Sequence, residues 1–384
     1  MTFTTTSPSL PVSESNVRDS VVVITGGSSG IGLAVAKASL AAGAKGVVIS
    51  GRGQARLDGT VKDLVEEFQL SFSVHFRTTR ASRVQGRIWS AMRPYHHVDG
   101  AVSWETTPRD GLPPANEAHN PAMKRWKLTG DEIKRVLGVP CDVSSWEDNV
   151  NLMKTAFETY GQLDYVFANA IGGPPGVDVL ADSAKHNIFT KPDFSYTGSM
   201  VQSVNHTLHA ATPYLASYSS RPIHSMEEYK AQACIANGLA RRDRAIVLTG
   251  SEAAFEEFDA IPQYAAGKGA FHSLVWSTRS RLEAIGVRLN AFSPSWVDTP
   301  LIKPLLDLGI LQPSDCIPMG VAVEALMGLF NNSTISGSIR RIPSSGHRAF
   351  DTIPQVQRVY TTAHWAPILA EAAAKAQHMQ EVEA

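Results

Sequence analysis

Short apolar β-branched runs recur along the chain, each leading into a turn and then into a segment of helical period. VVVI at 21–24 is the first, a run typical of a strand buried on both faces of a parallel sheet. VVIS at 47–50 repeats the pattern, and ISGSIRRI at 335–342 reads as a last strand. Helical spacing fills the intervals: LAVAKASLAAG ending at Gly43 (a natural C-cap), Leu57 to Phe68, LIKPLLDLGIL at 301–311, and VAVEALMGLF at 321–330. Strands alternating with helices predict an α/β fold, a doubly wound parallel sheet in a single domain carrying long insertions.

TGGSSGIG, Thr25 to Gly32, follows the first strand at once. Gly26 suits the tight turn. Gly30 and Gly32 let the backbone approach a pyrophosphate and pack the helix on its strand. The helix N-terminus then offers free N–H groups to phosphate. A glycine-rich loop without a ligand is the alternative; the flanking strand and helix favour the opening of a dinucleotide-binding (Rossmann) unit.

The candidate chemistry lies in QYAAGKGA. Tyr264 and Lys268 are four residues apart, so on a helix they share a face, and Ser251 lies thirteen residues upstream of the tyrosine. A free phenol titrates near about 10, and a neighbouring cation lowers it. Tyr264 would then serve as a proton donor or acceptor, with Ser251 bonded to the same substrate oxygen. Alone, the pair also fits an exposed aromatic beside a solvated lysine.

Taken together, T-G-x-x-x-G-I-G, the serine and Y-x-x-x-K resemble the short-chain dehydrogenase/reductase family, over roughly residues 20–345 apart from the insertions, in the manner of fungal members acting on secondary metabolites or lipids. Further positions follow the family's order: YVFANA at 165–170 resembles its fourth strand and Asn-Ala turn, IVLTGS at 246–251 its fifth strand, and VRLNAFSPSWVDTP at 287–300 its sixth strand and nicotinamide turn. CDVS at 141–144 resembles its Asp-Val pair after the third strand, with Asp142 on the adenine amino group and Val143 on the ring. Asn205, in MVQSVNHTL, falls where the family keeps a helix asparagine that holds a water; a satisfied polar residue inside a helix is the even alternative. Asp142 also reads as a helix N-cap acid, Ser251 as a strand terminator and Thr299 as a turn residue. Two positions depart from the pattern: Ile171 stands in place of the glycine after Asn169-Ala170, and Ser295 in place of the glycine before the Thr299 turn.

The resemblance implies Ser251, Tyr264, Lys268 and Asn205 as the catalytic set. It implies cofactor contacts from Gly26, Ser29, Gly30, Ile31, Gly32, Arg52, Asp142, Val143, Asn169, Tyr264, Lys268, Val297 and Thr299. The end of the second strand carries no acid to grip a ribose hydroxyl. Arg52 offers a guanidinium for a 2′-phosphate, with Ser50 beside it, so NADP(H) is expected over NAD(H). Stacking of Arg52 on adenine would serve either cofactor.

Composition sets limits. The chain has 384 residues, 43% hydrophobic, with 35 basic against 36 acidic side chains. That supports a full core and gives no electrostatic case for nucleic acid. Cys141, Cys234 and Cys316 form no metal or redox motif and read as reduced thiols in a cytoplasmic protein. His96 and His97 bring no accompanying ligands, and no metal is expected. No apolar run spans a membrane. Residues 1–20 lack a secretory core and read as a disordered tail.

The stretch 72–137 mixes Arg, His, Pro and Trp without a period, and reads either as an elaboration over the adenine side or as coding noise such as a retained intron. Smaller insertions are expected at 172–195 and 217–238, and a C-terminal extension with an alanine-rich helix at 346–384. Leu301, Leu305, Leu306, Phe255 and Phe258 predict an apolar pocket with Glu256 and Glu257 at its mouth.

These readings predict hydride transfer between NADP(H) and a ketone or secondary alcohol of a hydrophobic small molecule, by a dimer or tetramer as the resemblance implies. A nicotinamide-binding scaffold or sensor without turnover is the alternative from another class. An epimerase or dehydratase on the same fold is a third.

Overall fold

A computed structural model describes residues 15–68, 135–171, 195–216, 242–257, 262–344 and 349–352. The chain runs β1 (Val21–Ile24), α1 (Gly30–Ala41), β2 (Gly46–Gly51), α2 (Gln54–Glu67), β3 (Val136–Pro140), α3 (Trp146–Tyr160), β4 (Tyr165–Ala168) and α4 (Ser195–Leu215). β5 (Ala245–Thr249), α5 (Pro262–Ala284), β6 (Arg288–Pro294), α6 (Lys303–Asp307), α7 (Met319–Asn331), β7 (Ile339–Ile342) and β8 (Phe350–Thr352) complete it. The strands form one sheet in the order β3-β2-β1-β4-β5-β6-β7-β8. Every pairing is parallel except the edge pair β7–β8. The expected doubly wound sheet is present; β8 lies beyond the strand read as last.

Alternation along each strand builds two apolar layers. Val21 and Val23, Val166 and Ala168, and Ile246 and Leu248 face the layer of α3, α4 and α5. Their neighbours Val22 and Ile24, Tyr165 and Phe167, and Ala245 and Val247 face α1, α2 and α7. The amphipathic helices complete each layer: Leu57, Val61 and Leu64 of α2 are buried in the second, and Phe271 and Val275 of α5 in the first. Strand order reverses between β1 and β4, so the carboxyl ends of these two strands open the crevice where such sheets bind ligands.

Helix ends follow the local chemistry. After α1, Gly43 N–H donates to Leu40 and Ala44 N–H to Ser39, so the expected glycine stop is a Schellman closure. Ser145 caps α3 by accepting from Asp148 N–H at 3.1 Å. This excludes Asp142 as the cap residue of that helix.

Several boundaries move. Residues 15–20, read as part of the tail, belong to the fold: Val17 is buried, and Asn16 Nδ2 donates to the Asn331 carbonyl at 2.8 Å. β3 starts at Val136, inside the stretch expected to be extra, because Val136 and Val139 are buried in the sheet. The helix expected over 301–311 is reduced to α6, five residues with Pro304 in its first turn and Gly309 at φ +70° just beyond its end. The last strand keeps only 339–342 of the expected 335–342. Most of the insertions, His96, His97, Cys234, Phe258 and the C-terminal extension lie outside the described residues.

Candidate active site

The turn after β1 is held by close backbone packing. Gly26 sits at φ +66°, and a Cβ on Gly32 would stand 2.4 Å from the Gly26 carbonyl oxygen, so no side chain fits at Gly32 without moving the turn. A Cβ on Gly30 would meet the Thr299 methyl at 3.3 Å, which puts Thr299 directly across the turn. Ser29 is the first residue before α1, yet its hydroxyl caps nothing in the helix, and the α1 N-terminus faces the crevice uncapped.

Asn169 ties that turn to the sheet. Its Nδ2 donates to the Thr25 carbonyl at 3.1 Å, its Oδ1 accepts from Thr249 Oγ1 at 3.2 Å, and its backbone N–H donates to Thr25 Oγ1 at 3.0 Å. Ile171, the first departure from the family pattern, packs against the apolar layer of α3–α5. Ser295, the second, keeps a negative φ and donates to the Ile342 carbonyl at 2.9 Å, so glycine is not required there. Val297 is buried and bridges to Ile317.

Arg52 is exposed at the end of β2, and Asp142 follows β3 next to it. The Asp142 carboxyl is held below its usual range by hydrogen bonds from Ser144, at 2.7 and 3.0 Å, and by the Arg52 charge.

Ser251 follows β5 by two residues in extended backbone and opens a short 3₁₀ turn, Glu252–Ala254. Tyr264, Lys268 and His272 line one face of α5 at four-residue spacing. Ser251 and Tyr264 share a side-chain hydrogen bond. Lys268 is fully buried, its Nζ 5.5 Å from the Tyr264 ring and donating to the Thr249 carbonyl at 2.6 Å.

The electrostatics differ from the sequence expectation. Burial raises the Tyr264 phenol, with the Ser251 hydrogen bond pulling against it, and the lysine does not lower it. Burial also brings Lys268 down to about 7. Desolvation favours the neutral form of both groups. Asn205 lies on α4 and donates to its own helix, Nδ2 to the Val201 carbonyl at 2.9 Å; this is the satisfied-polar arrangement.

Four side chains beside the serine were not singled out in the sequence. Glu252 is buried and paired to Arg341 of β7 by contacts of 2.6, 2.9 and 3.2 Å. Phe255, expected to line a pocket, lies between Arg341, 4.0 Å above its ring, and His272, stacked at 4.5 Å. His272 Nε2 is 2.8 Å from Ser293 Oγ. Its position eight residues after Tyr264 was the available signal. Leu301 is 85% exposed while Leu305 and Leu306 are half-buried, so these three form no closed apolar wall. Among the described residues there is no metal-binding cluster and no helix long and apolar enough to cross a membrane.

Comparisons with known proteins find similar chains and a similar fold. The family model for short chain dehydrogenase matches residues 20–103 and 230–307. The chain is 28% identical over 190 residues to a short-chain dehydrogenase/reductase, ascJ, of Acremonium egyptiacum, covering 48% of this chain and 57% of that one. It is 26% identical over 170 residues to a 5′-hydroxyaverantin dehydrogenase of Dothistroma septosporum, covering 43% and 51%. The chain thus spans about half the length of these curated relatives. In fold it matches an NADPH-bound short chain oxidoreductase of Pseudomonas aeruginosa PAO1, with a TM-score of 0.57 at 19% identity, over 86% of this chain and 97% of that one.

Proposed function

We propose that this chain is a short-chain dehydrogenase/reductase that moves a hydride between NADP(H) and a ketone or secondary alcohol of a hydrophobic small molecule; the family match over residues 20–103 and 230–307 and the curated relatives support the reading. The observation that carries the reading is the Ser251–Tyr264 hydrogen bond, with Lys268 on the same helix face. Among the relatives, a dehydrogenase of 5′-hydroxyaverantin supports a small organic alcohol as the substrate class.

The residues present fit a dinucleotide. The Gly26–Gly32 contact keeps the turn open to a pyrophosphate, and the uncapped α1 N-terminus with the Ser29 hydroxyl suits its charge. Gly30 and Ile31 open α1 beside that turn. Asp142 and Val143 would take the adenine, Arg52 the 2′-phosphate, and Asn169, Val297 and Thr299 would border the remainder. When bound, the nicotinamide supplies or accepts the hydride.

The protein's own part is proton transfer. Tyr264, favoured as the neutral phenol, gives its proton to the carbonyl oxygen in reduction and takes it back in oxidation. Ser251 holds that oxygen. Lys268 would bind the cofactor ribose, and Asn205 would border the proton path to water. Positioned acid–base catalysis of this kind typically contributes about 10²–10⁴-fold.

NADPH oxidation should be followed with a panel of apolar ketones, for the native protein and for Tyr264→Phe. Turnover by the native protein, lost in Tyr264→Phe while NADPH still binds, is expected. NADPH binding without turnover on any ketone or alcohol would instead leave a scaffold or sensor, and turnover without net cofactor oxidation would indicate an epimerase or dehydratase.

A further inference from the structure

We propose that Glu252, Arg341 and His272 are positioning residues that fix Ser251 against Tyr264 from both sides along the chain; the inference rests on the function proposed above. The serine occupies a place that regular structure does not secure. β5 ends at Thr249, and the turn after the serine has three residues. Gly250 N–H still donates to the Phe292 carbonyl of β6 at 2.7 Å. Within the turn, however, the bonds are short-range: Ala253 N–H to Ser251 Oγ at 3.2 Å, Ala254 N–H to the Ser251 carbonyl at 3.2 Å, and Phe255 and Glu256 N–H to the Glu252 carbonyl at 2.8 and 3.1 Å.

Side chains supply the rest. Gly250 precedes the serine, and a Cβ there would stand 2.1 Å from Ser293 Oγ and 2.6 Å from His272 Nε2. The His272–Ser293 pair therefore lies directly against the Gly250 Cα and fixes the main chain on that side. Glu252 follows the serine, its side chain only 2% exposed, and both carboxylate oxygens accept from Arg341. A bidentate guanidinium–carboxylate pair fixes orientation as well as distance. Phe255 joins the two sides, with Arg341 over one contact and the His272 ring stacked on it. A charge buried this far needs its partner; removing one member leaves the other uncompensated.

The test is a double-mutant cycle. Glu252→Gln keeps the shape and removes the charge. It should leave NADPH affinity and ketone KM within about 2-fold and lower kcat by up to about 100-fold, the cost of a misplacement on the order of 1 Å. In a Ser251→Ala background the same substitution should cost little more, because the group it positions is gone. Arg341→Lys, which keeps the charge and loses the fork, should fall between. Unchanged kcat, or an equal fold loss in both backgrounds, overturns the proposal.

Should Glu252→Gln unfold, Glu252→Gln/Arg341→Met removes both charges together and should show the same kcat loss. One readout does not need turnover. The Ser251 hydrogen bond lowers the Tyr264 phenol, so a difference titration against Tyr264→Phe variants should show the phenol rising in Glu252→Gln toward its value in Ser251→Ala. If the native protein reduces no ketone, the functional reading fails, and this titration still decides the inference: an unmoved phenol overturns it.

Discussion

Lys268 Nζ donates to the Thr249 carbonyl at 2.6 Å, and Thr249 Oγ1 donates to Asn169 Oδ1 at 3.2 Å. Asn169 continues to the Thr25 carbonyl at 3.1 Å. One polar chain thus crosses the ends of β5, β4 and β1, from the candidate catalytic lysine to the candidate phosphate turn. The links lie at the carboxyl ends of central strands, so the chain sets the lysine and the turn in register.

Asn169→Ala tests that register. It leaves the Thr25 carbonyl and the Thr249 hydroxyl without their side-chain partner, which should cost roughly 1–3 kcal/mol of stability. If the chain also shapes the cofactor turn, NADPH affinity falls by about 10-fold, equivalent to ~1.4 kcal/mol. Chemical denaturation and a fluorescence titration measure the two separately. Lost stability with unchanged affinity would make Asn169 a support of the sheet alone.

Lys268→Met should raise stability while abolishing turnover. Burial holds Lys268 down to about 7, against 10.5 for a free lysine. Between those values the unfolded chain carries a proton that the folded chain lacks, so this group's contribution to stability improves as pH rises from about 7 to 10.5 and is worst below 7. Methionine removes the penalty but strips the Thr249 carbonyl of its donor, leaving a net gain on the order of 2 kcal/mol at pH 6. The difference in Tm between the two proteins should shrink as the pH approaches 10. A difference that stays constant with pH would show that Lys268 titrates normally in the folded protein.

Two glycines give opposite expectations for one added methyl. In Gly32→Ala the Cβ meets the Gly26 carbonyl at 2.4 Å, backbone that cannot yield without moving the turn. NADPH binding should be lost and Tm lowered. In Gly269→Ala nothing lies within 4 Å of the new Cβ, one residue past Lys268 on α5. That exchange should stabilise by about 0.5–1 kcal/mol, as alanine for glycine does inside a helix. Equal behaviour of the two in thermal unfolding would refute the close-approach account of Gly32.

The strands were legible because burial on both faces leaves continuous β-branched runs, as in VVVI and VVIS. The Ser251, Tyr264 and Lys268 set was legible because the family resemblance and the four-residue spacing converge on it. The Glu252–Arg341 pair was not: its members lie 89 residues apart, and only the sheet order that puts β7 near the end of β5 brings them together. The tyrosine's environment was misjudged for a related reason. Spacing places a lysine beside it, but spacing does not reveal that the lysine is fully buried, where desolvation outweighs the charge it would lend. The 301–311 helix was overextended because apolar period persists through Pro304 and Gly309, and backbone chemistry ends the helix regardless.

The proposed preference for NADP(H) turns on Arg52. It is exposed at the end of β2, and its charge acts on Asp142 at the end of β3. The nearby carboxylate partly offsets the guanidinium, so a 2′-phosphate has to compete with it. Arg52 on a 2′-phosphate should still favour NADPH, since a charge-assisted pair with phosphate is worth about 1.5–3 kcal/mol. In Arg52→Ala, NADPH affinity should drop by about 10-fold to 100-fold while NADH affinity changes by less than about 3-fold. Salt supplies a second axis: raising ionic strength should weaken NADPH binding to the native protein more steeply than to the variant, because an exposed pair is screened. Equal losses for the two cofactors, with no difference in salt slope, would mean that Arg52 stacks on the adenine common to both and that the preference for NADP(H) is wrong. Loss confined to NADPH would assign the 2′-phosphate to Arg52, and Asp142→Asn should then tighten NADPH further by removing the competing carboxylate.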